Sequence, residues 1–228
     1  MKAILDVDEL VFSPPELGCV LYLPGPSGGG SKIYDRSPYG NTGNIIGATW
    51  TRLPSGLWCL DFDGTDDFVN CGNHSSLAAL SQISIIFWFR LNTLKQSRPI
   101  SKWSAGKQEW IVQFPSTAPD ELSFGFYGSN DQTSKLNYST SNGWVFIAGV
   151  WSGGTSVEVF KNGEHLETLT VSPGAVQDLG ENVVLGRHPT AAEWLLGSLA
   201  LVRVINIPLS KLTIKSLFDQ EKHLFGVW

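Results

Sequence analysis

The stretch NGWVFIAGVWSGGTSVEVFKNGEHLETLT, residues Asn142–Thr170, reads as three antiparallel strands in succession. Trp144–Trp151 is an apolar run bounded by Gly143 on one side and Gly153-Gly154 on the other. Ser156–Lys161 alternates, with Val157 and Val159 on one face and Glu158 and Phe160 on the other, the period-2 pattern of a strand. Asn162-Gly163 follows, two residues that tolerate positive φ and therefore suit a type I′ turn between twisted strands. Glu164–Thr170 then returns alongside. Many β proteins contain such a hairpin, so this stretch speaks to the fold and not to the function.

Outward from it, the same reasoning places a strand at Gln82–Leu91, whose apolar residues cover both faces as at the centre of a sandwich. Further strands are expected at Gly18–Leu23, Asn44–Ile46, Arg98–Lys102, Glu109–Phe114, Glu121–Tyr127, Lys135–Ser139, Asn182–Gly186 and Gly197–Asn206. Leu57–Gly72 reads as a second hairpin; pairing Phe62 with Phe68 also sets Cys59 opposite Cys71. Two states are open for those cysteines: a strained cross-strand disulfide, or two reduced thiols on neighbouring strands. Residues 1–17 form a lead-in that Pro14-Pro15 keeps irregular, and PGPSGGGSK, residues 24–32, is a loop by composition. Near the end the period changes. Leu209, Leu212, Ile214, Leu217 and Phe218 approach helical spacing, and Ser210 is placed to cap one short C-terminal helix. Roughly a dozen strands without an internal repeat imply one two-sheet domain over residues 18–228.

Composition narrows the partners. Only 16% of the 228 residues are charged, against roughly 25% in ordinary domains. The 24 glycines, 12 phenylalanines and 9 tryptophans are what a β fold with many tight turns needs. A net charge of −5 argues against nucleic acid, whose phosphates require a basic surface. No apolar run approaches the ~20 residues of a membrane span. MKAILDVDELVF, at the start, is not a secretory signal, because Asp6, Asp8 and Glu9 interrupt its apolar core. Low charge with abundant small polar residues suits a viral or phage adhesion or decoration protein, on a virion surface or outside a cell.

Several segments, in this order, resemble the laminin G-like branch of the concanavalin A-like lectin/glucanase superfamily. They are DRSPYGNTGNIIGATW (Asp35–Trp50), LDFDGTDDFV (Leu60–Val69), ISIIFWFRL (Ile83–Leu91), the Trp144–Gly163 segment, and GSLALVRVINIPLS (Gly197–Ser210). The resemblance covers residues 18 to 225 and implies an all-β jelly-roll sandwich of two curved antiparallel sheets with one short C-terminal helix. It also implies a structural calcium, with Asp35 in the Asp-x-Ser loop as a ligand. Relatives supply a second carboxylate from the closing strand, where this chain has Ala200 and Leu201, so one ligand of that set is missing.

Catalytic patterns are absent. The strand-borne Glu-x-Asp-x-x-Glu of the superfamily's glucanases does not occur, nor does the His, Tyr and Arg pattern of its lyases. Asp61, Asp63, Asp66 and Asp67 cluster at a turn and have turn chemistry. His74, His165, His188 and His223 lack zinc-ligand spacing. Aromatic side chains remain, because sugar rings stack their C–H faces on Trp and Tyr. Trp103, Trp151 and Trp194 with Arg187 and Glu109 form the expected glycan platform. The reading is a non-catalytic carbohydrate-binding module, with a diverged glycan-cleaving enzyme and a structural assembly subunit as the alternatives.

Overall fold

The computed structural model describes residues 17–25, 29–116, 118–128, 132–134, 136–140, 143–188 and 193–228; the lead-in expected at residues 1–17 lies almost wholly outside them. The described residues form two antiparallel sheets of eight strands each. The first contains β1 (Cys19–Leu23), β4 (Thr49–Arg52), β5 (Trp58–Asp63), β7 (Ile83–Leu91), β12 (Val145–Trp151), β13 (Ser156–Lys161), β14 (Glu164–Thr170) and β16 (Leu196–Ile205). Its order is β14-β13-β12-β7-β16-β5-β4, with β1 also on β16. The second contains β2 (Lys32–Ile33), β3 (Gly43–Ile46), β6 (Phe68–Asn70), β8 (Ser97–Ser104), β9 (Lys107–Phe114), β10 (Leu122–Phe126), β11 (Gln132–Ser134) and β15 (Val184–Leu185). Its order is β11-β10-β9-β8-β15-β6-β3-β2.

The opening hairpin forms as its residues dictate. Asn162 (φ +50°) and Gly163 (φ +78°) make the turn, and Asn162 is tied to β12 through Phe146 in both directions. Val157 and Val159 enter the core between the sheets while Phe160 packs on the opposite side. Strand β7 behaves likewise: Ile83, Ile85, Phe87, Phe89 and Leu91 face the inner core, Ile86 and Trp88 the outer one. Gly149 on β12 lets the sheets close up, since a Cβ there would meet the Phe124 ring at 2.1 Å.

The first sheet therefore has two apolar faces. Its outer face carries Trp88, Phe146 and Phe160 and is covered by helix α1 (Lys211–Glu221) and a 3-10 turn over Lys222–Phe225. Ser210 caps α1 by accepting from the Thr213 amide, as its position predicts. Trp88 stacks on Phe225 at 4.0 Å between centroids, and its indole N–H donates to Glu221 at 2.8 Å. Glu221 also accepts from Arg203 at 2.5 Å, with both side chains buried. Strand β16 changes partner midway, from β5 to β1, at Leu201, whose φ is +49°.

Two expectations are corrected. Leu57–Gly72 is not a hairpin within one sheet: β5 pairs with β4 and β16, whereas β6 pairs with β3 and β15 in the opposite sheet. The Asp63–Asp67 turn carries the chain across the sandwich, so that Phe62 and Val69 both point into the core from opposite walls. Cys59 and Cys71 consequently sit in different apolar clusters, and all three cysteines are free and buried. Second, the strand expected at Lys135–Ser139 is displaced to β11. Tyr138 is held by its side chain instead: its hydroxyl accepts from the Leu91 amide at 2.9 Å.

Candidate functional site

Three of the five residues expected to form a platform come together. Arg187 follows β15 directly, after Gly186, whose φ of +87° and closeness to Phe62 admit no side chain. The Arg187 guanidinium lies 3.7 Å from the Phe68 ring centroid and 5.7 Å from that of Trp194. The two rings are 6.4 Å apart. Trp194 enters from the segment before β16, and Phe68 opens β6. Beside them, Arg98 on β8 pairs with Glu193 at 2.9 Å and lies 5.8 Å from the Trp103 ring. Gln96 donates to the same carboxylate. The result is a row, half-buried except for the buried Arg98, that runs through Trp103, Arg98, Glu193, Trp194, Arg187 and Phe68 and is built from three elements of the second sheet and the entry to β16.

The charges in this row are unequally satisfied. Glu193 accepts from two side chains. Arg187 forms no ion pair among the described residues, and its buried Nε has no hydrogen-bond partner there. Burial pushes its pKa down, since a guanidinium removed from water favours its charged form less. Cation–π contact with two rings offsets part of that cost, at about 0.5–2 kcal/mol per contact. His188, also buried, has its pKa pushed below the ordinary histidine value by burial and then by the positive charge of Arg98.

The other two platform residues are interior. Trp151 is 1% exposed, stacks on Phe126 at 5.1 Å and donates its indole N–H to the Gly154 carbonyl at 2.7 Å. Its alternation along β12 points it inward, which a tryptophan at a strand end before two glycines does not reveal. Glu109 is fully buried because it is the extra residue of a bulge: Lys102 pairs with Trp110 and Trp103 with Gln108. Its carboxylate meets the buried Lys102 ammonium at 2.6 and 2.7 Å and accepts from the Leu179 amide. Burial still raises the Glu109 pKa, with Lys102 pulling against it. Neither side chain is offered to a ligand. Phe68 and Arg98 were missed; Phe68 had a signal, since Val69 facing inward turns it outward.

The residues at Asp35 do not fit a calcium ion. Asp35 Oδ1 accepts from the amides of Tyr22 and Ser37, both at 2.8 Å, and Oδ2 from the Ser37 hydroxyl at 2.6 Å and the Asn41 amide at 2.7 Å. A carboxylate offers about four lone-pair directions. Four donors fill them, and the loop is closed by hydrogen bonds alone. Asp63, Asp66 and Asp67 bring oxygens within 4.8 Å of one another on a turn where Asp63 Oδ1 accepts from the Thr65 and Asp66 amides and Asp67 Oδ2 from the Asp63 amide.

Similar solved structures share this fold at low identity. The binding domain of Paraclostridial Mosquitocidal Protein 1 matches 92% of this chain with TM-score 0.75 and 14% identity. A botulinum neurotoxin type C, whose cell entry depends on interaction with two ganglioside molecules, matches 89% with TM-score 0.66 and 15% identity. The sialidase of Trypanosoma rangeli, in complex with sialic acid, matches 92% with TM-score 0.70 and 15% identity. This chain spans 55% and 51% of the two toxin chains and 34% of the sialidase. No curated protein matches it. A laminin G family model matches residues 63–215, most of the sandwich, and the chain therefore belongs to the concanavalin A-like lectin/glucanases superfamily.

Proposed function

We propose that this chain is a non-catalytic module that binds carbohydrate, or a surface bearing it, through the row that runs from Trp103 to Phe68. The observation that carries this is the Arg187 guanidinium held between Phe68 and Trp194 without a carboxylate partner among the described residues. Such a site offers ring faces for stacking and a cation for hydroxyl or acidic groups. The similar toxin structures support the reading, since one is a binding domain and the other is of a toxin whose cell entry depends on two ganglioside molecules. Because this chain spans only about half of them, which half does the binding is not carried over. The module would meet its glycans outside the cell or on a virion surface; no described helix is long and apolar enough to cross a membrane.

A glycan array tests this. The wild-type protein binds at least one glycan, and Trp194→Ala and Arg187→Ala each weaken that binding tenfold or more, about 1.4 kcal/mol, with unfolding temperatures unchanged. Two variants at wild-type affinity, or an array without a single ligand, would overturn the proposal. The sialidase match makes sialic acid release from the same glycans the control for a catalytic reading.

A further inference from the structure

The cover over the outer face of the first sheet is incomplete at one end. Where the 3-10 turn over Lys222–Phe225 faces the loop between β4 and β5, a cleft of about 450 Å³ opens, lined among others by Leu53, Ser55, Arg90, Trp144, His223 and Phe225. That volume is within the ~300–1,000 Å³ range of small-ligand sites. Its walls differ in kind. Leu53 and Phe225 belong to the outer apolar cluster, whereas Arg90 and His223 bring nitrogen atoms.

Those nitrogens are under-used. The Arg90 guanidinium lies 5.5 Å from the centroid of the Trp144 ring and donates from Nη2 to the Ser198 hydroxyl at 3.3 Å. Ser198 in turn donates to Asp61, so that carboxylate is reached only through a hydroxyl. Arg90 forms no ion pair among the described residues, and its Nε is buried without a hydrogen-bond partner. The His223 Nδ1 is likewise buried and unpartnered. Each buried, unpaired donor or acceptor costs about 1–3 kcal/mol, and the two residues that carry one here line the same cleft.

We propose that this cleft binds a small organic carboxylate. The planar carboxylate lies against the edge of the Arg90 guanidinium and within reach of His223, and its carbon body rests on Leu53 and Phe225. The guanidinium fork suits either anion, and a carboxylate fits better than a phosphate because most of the lining is apolar, which favours a carbon body with one charge over a doubly charged ion that loses more hydration. This site is separate from the Arg187 row: Arg90 lies on β7 of the first sheet, Arg187 beyond β15 of the second.

Isothermal titration of the full chain with sodium benzoate and sodium phenylacetate, beside benzyl alcohol and inorganic phosphate, tests the proposal. At least one carboxylate binds at millimolar concentration or below, and the neutral alcohol and phosphate bind at least tenfold more weakly. Arg90→Gln lowers carboxylate affinity about tenfold or more, the loss expected for one charge-assisted hydrogen bond. Should that variant fold poorly, Ser55→Trp, at an exposed position on the rim, plugs the cleft and abolishes binding. Arg187→Ala leaves carboxylate affinity unchanged, which separates this site from the glycan row. Failure of both carboxylates to bind, phosphate binding as tightly, or wild-type affinity in folded Arg90→Gln or Ser55→Trp would overturn it.

Discussion

Arg187 and His188 are adjacent in sequence and meet opposite fates. The arginine rides on Phe68 and Trp194, while the histidine, 8% exposed, turns into the protein beside Arg98 and Glu193. Burial and the neighbouring guanidinium hold the His188 pKa below its unfolded value. The unfolded chain therefore binds a proton more readily, and stability falls as pH drops below about 6.5, the unfolded histidine value, toward the folded one. His188→Gln should lose less stability than wild type between pH 7 and pH 5, as urea titrations at each pH would measure; parallel losses would place the acid sensitivity elsewhere. Arg187 lies seven positions before Trp194 in the sequence, and the fold sets its guanidinium 5.7 Å from that ring. Glu109 and Trp151, expected beside them, are turned inward, one by a bulge and the other by strand alternation.

The C-terminal helix is the element whose anchoring is most specific. Its apolar residues Ile214, Leu217 and Phe218 seal Trp88 and Phe146, and Gly163 gives Phe218 room to approach the hairpin turn. One ionic contact fixes its end, since Glu221 serves both Arg203 and the Trp88 indole. The helix was legible from apolar spacing and from Ser210, but Glu221 was not, because nothing local distinguishes it from a solvated glutamate. Glu221→Ala removes the carboxylate that faces the buried Arg203 guanidinium and should cost about 3–5 kcal/mol in chemical denaturation. A loss under 1 kcal/mol would mean that Arg203 is reached by water.

Across the whole molecule, two apolar layers share the first sheet, and the three cysteines report on both. Cys59 belongs to the outer layer and Cys71 to the inner, and burial pushes the Cys59 thiol up to about 12 and Cys71 higher still. A thiolate is the reactive form, so both should resist alkylation until the sandwich opens. Under native conditions iodoacetamide should modify neither cysteine, and in denaturant all three, with the native rate tracking unfolding and mass spectrometry as the readout. Rapid modification of Cys71 in folded protein would contradict the packing of the inner core.

The positions of most strands along the chain, the Asn162-Gly163 turn and the helix cap were determined by the sequence itself, because each rests on neighbours within a few residues or on periodicity along one strand, and the family followed from segments in a fixed order. Sheet membership was decided only by tertiary structure. The turn at residues 63–67 is compatible locally with a hairpin or with a crossing, and burial of Phe62 and Val69 from opposite walls selects the crossing. The same holds for the candidate site. Phe68, Arg98, Arg187 and Trp194 are brought together by strands distant in sequence, where each side chain gains a partner that no local pattern encodes.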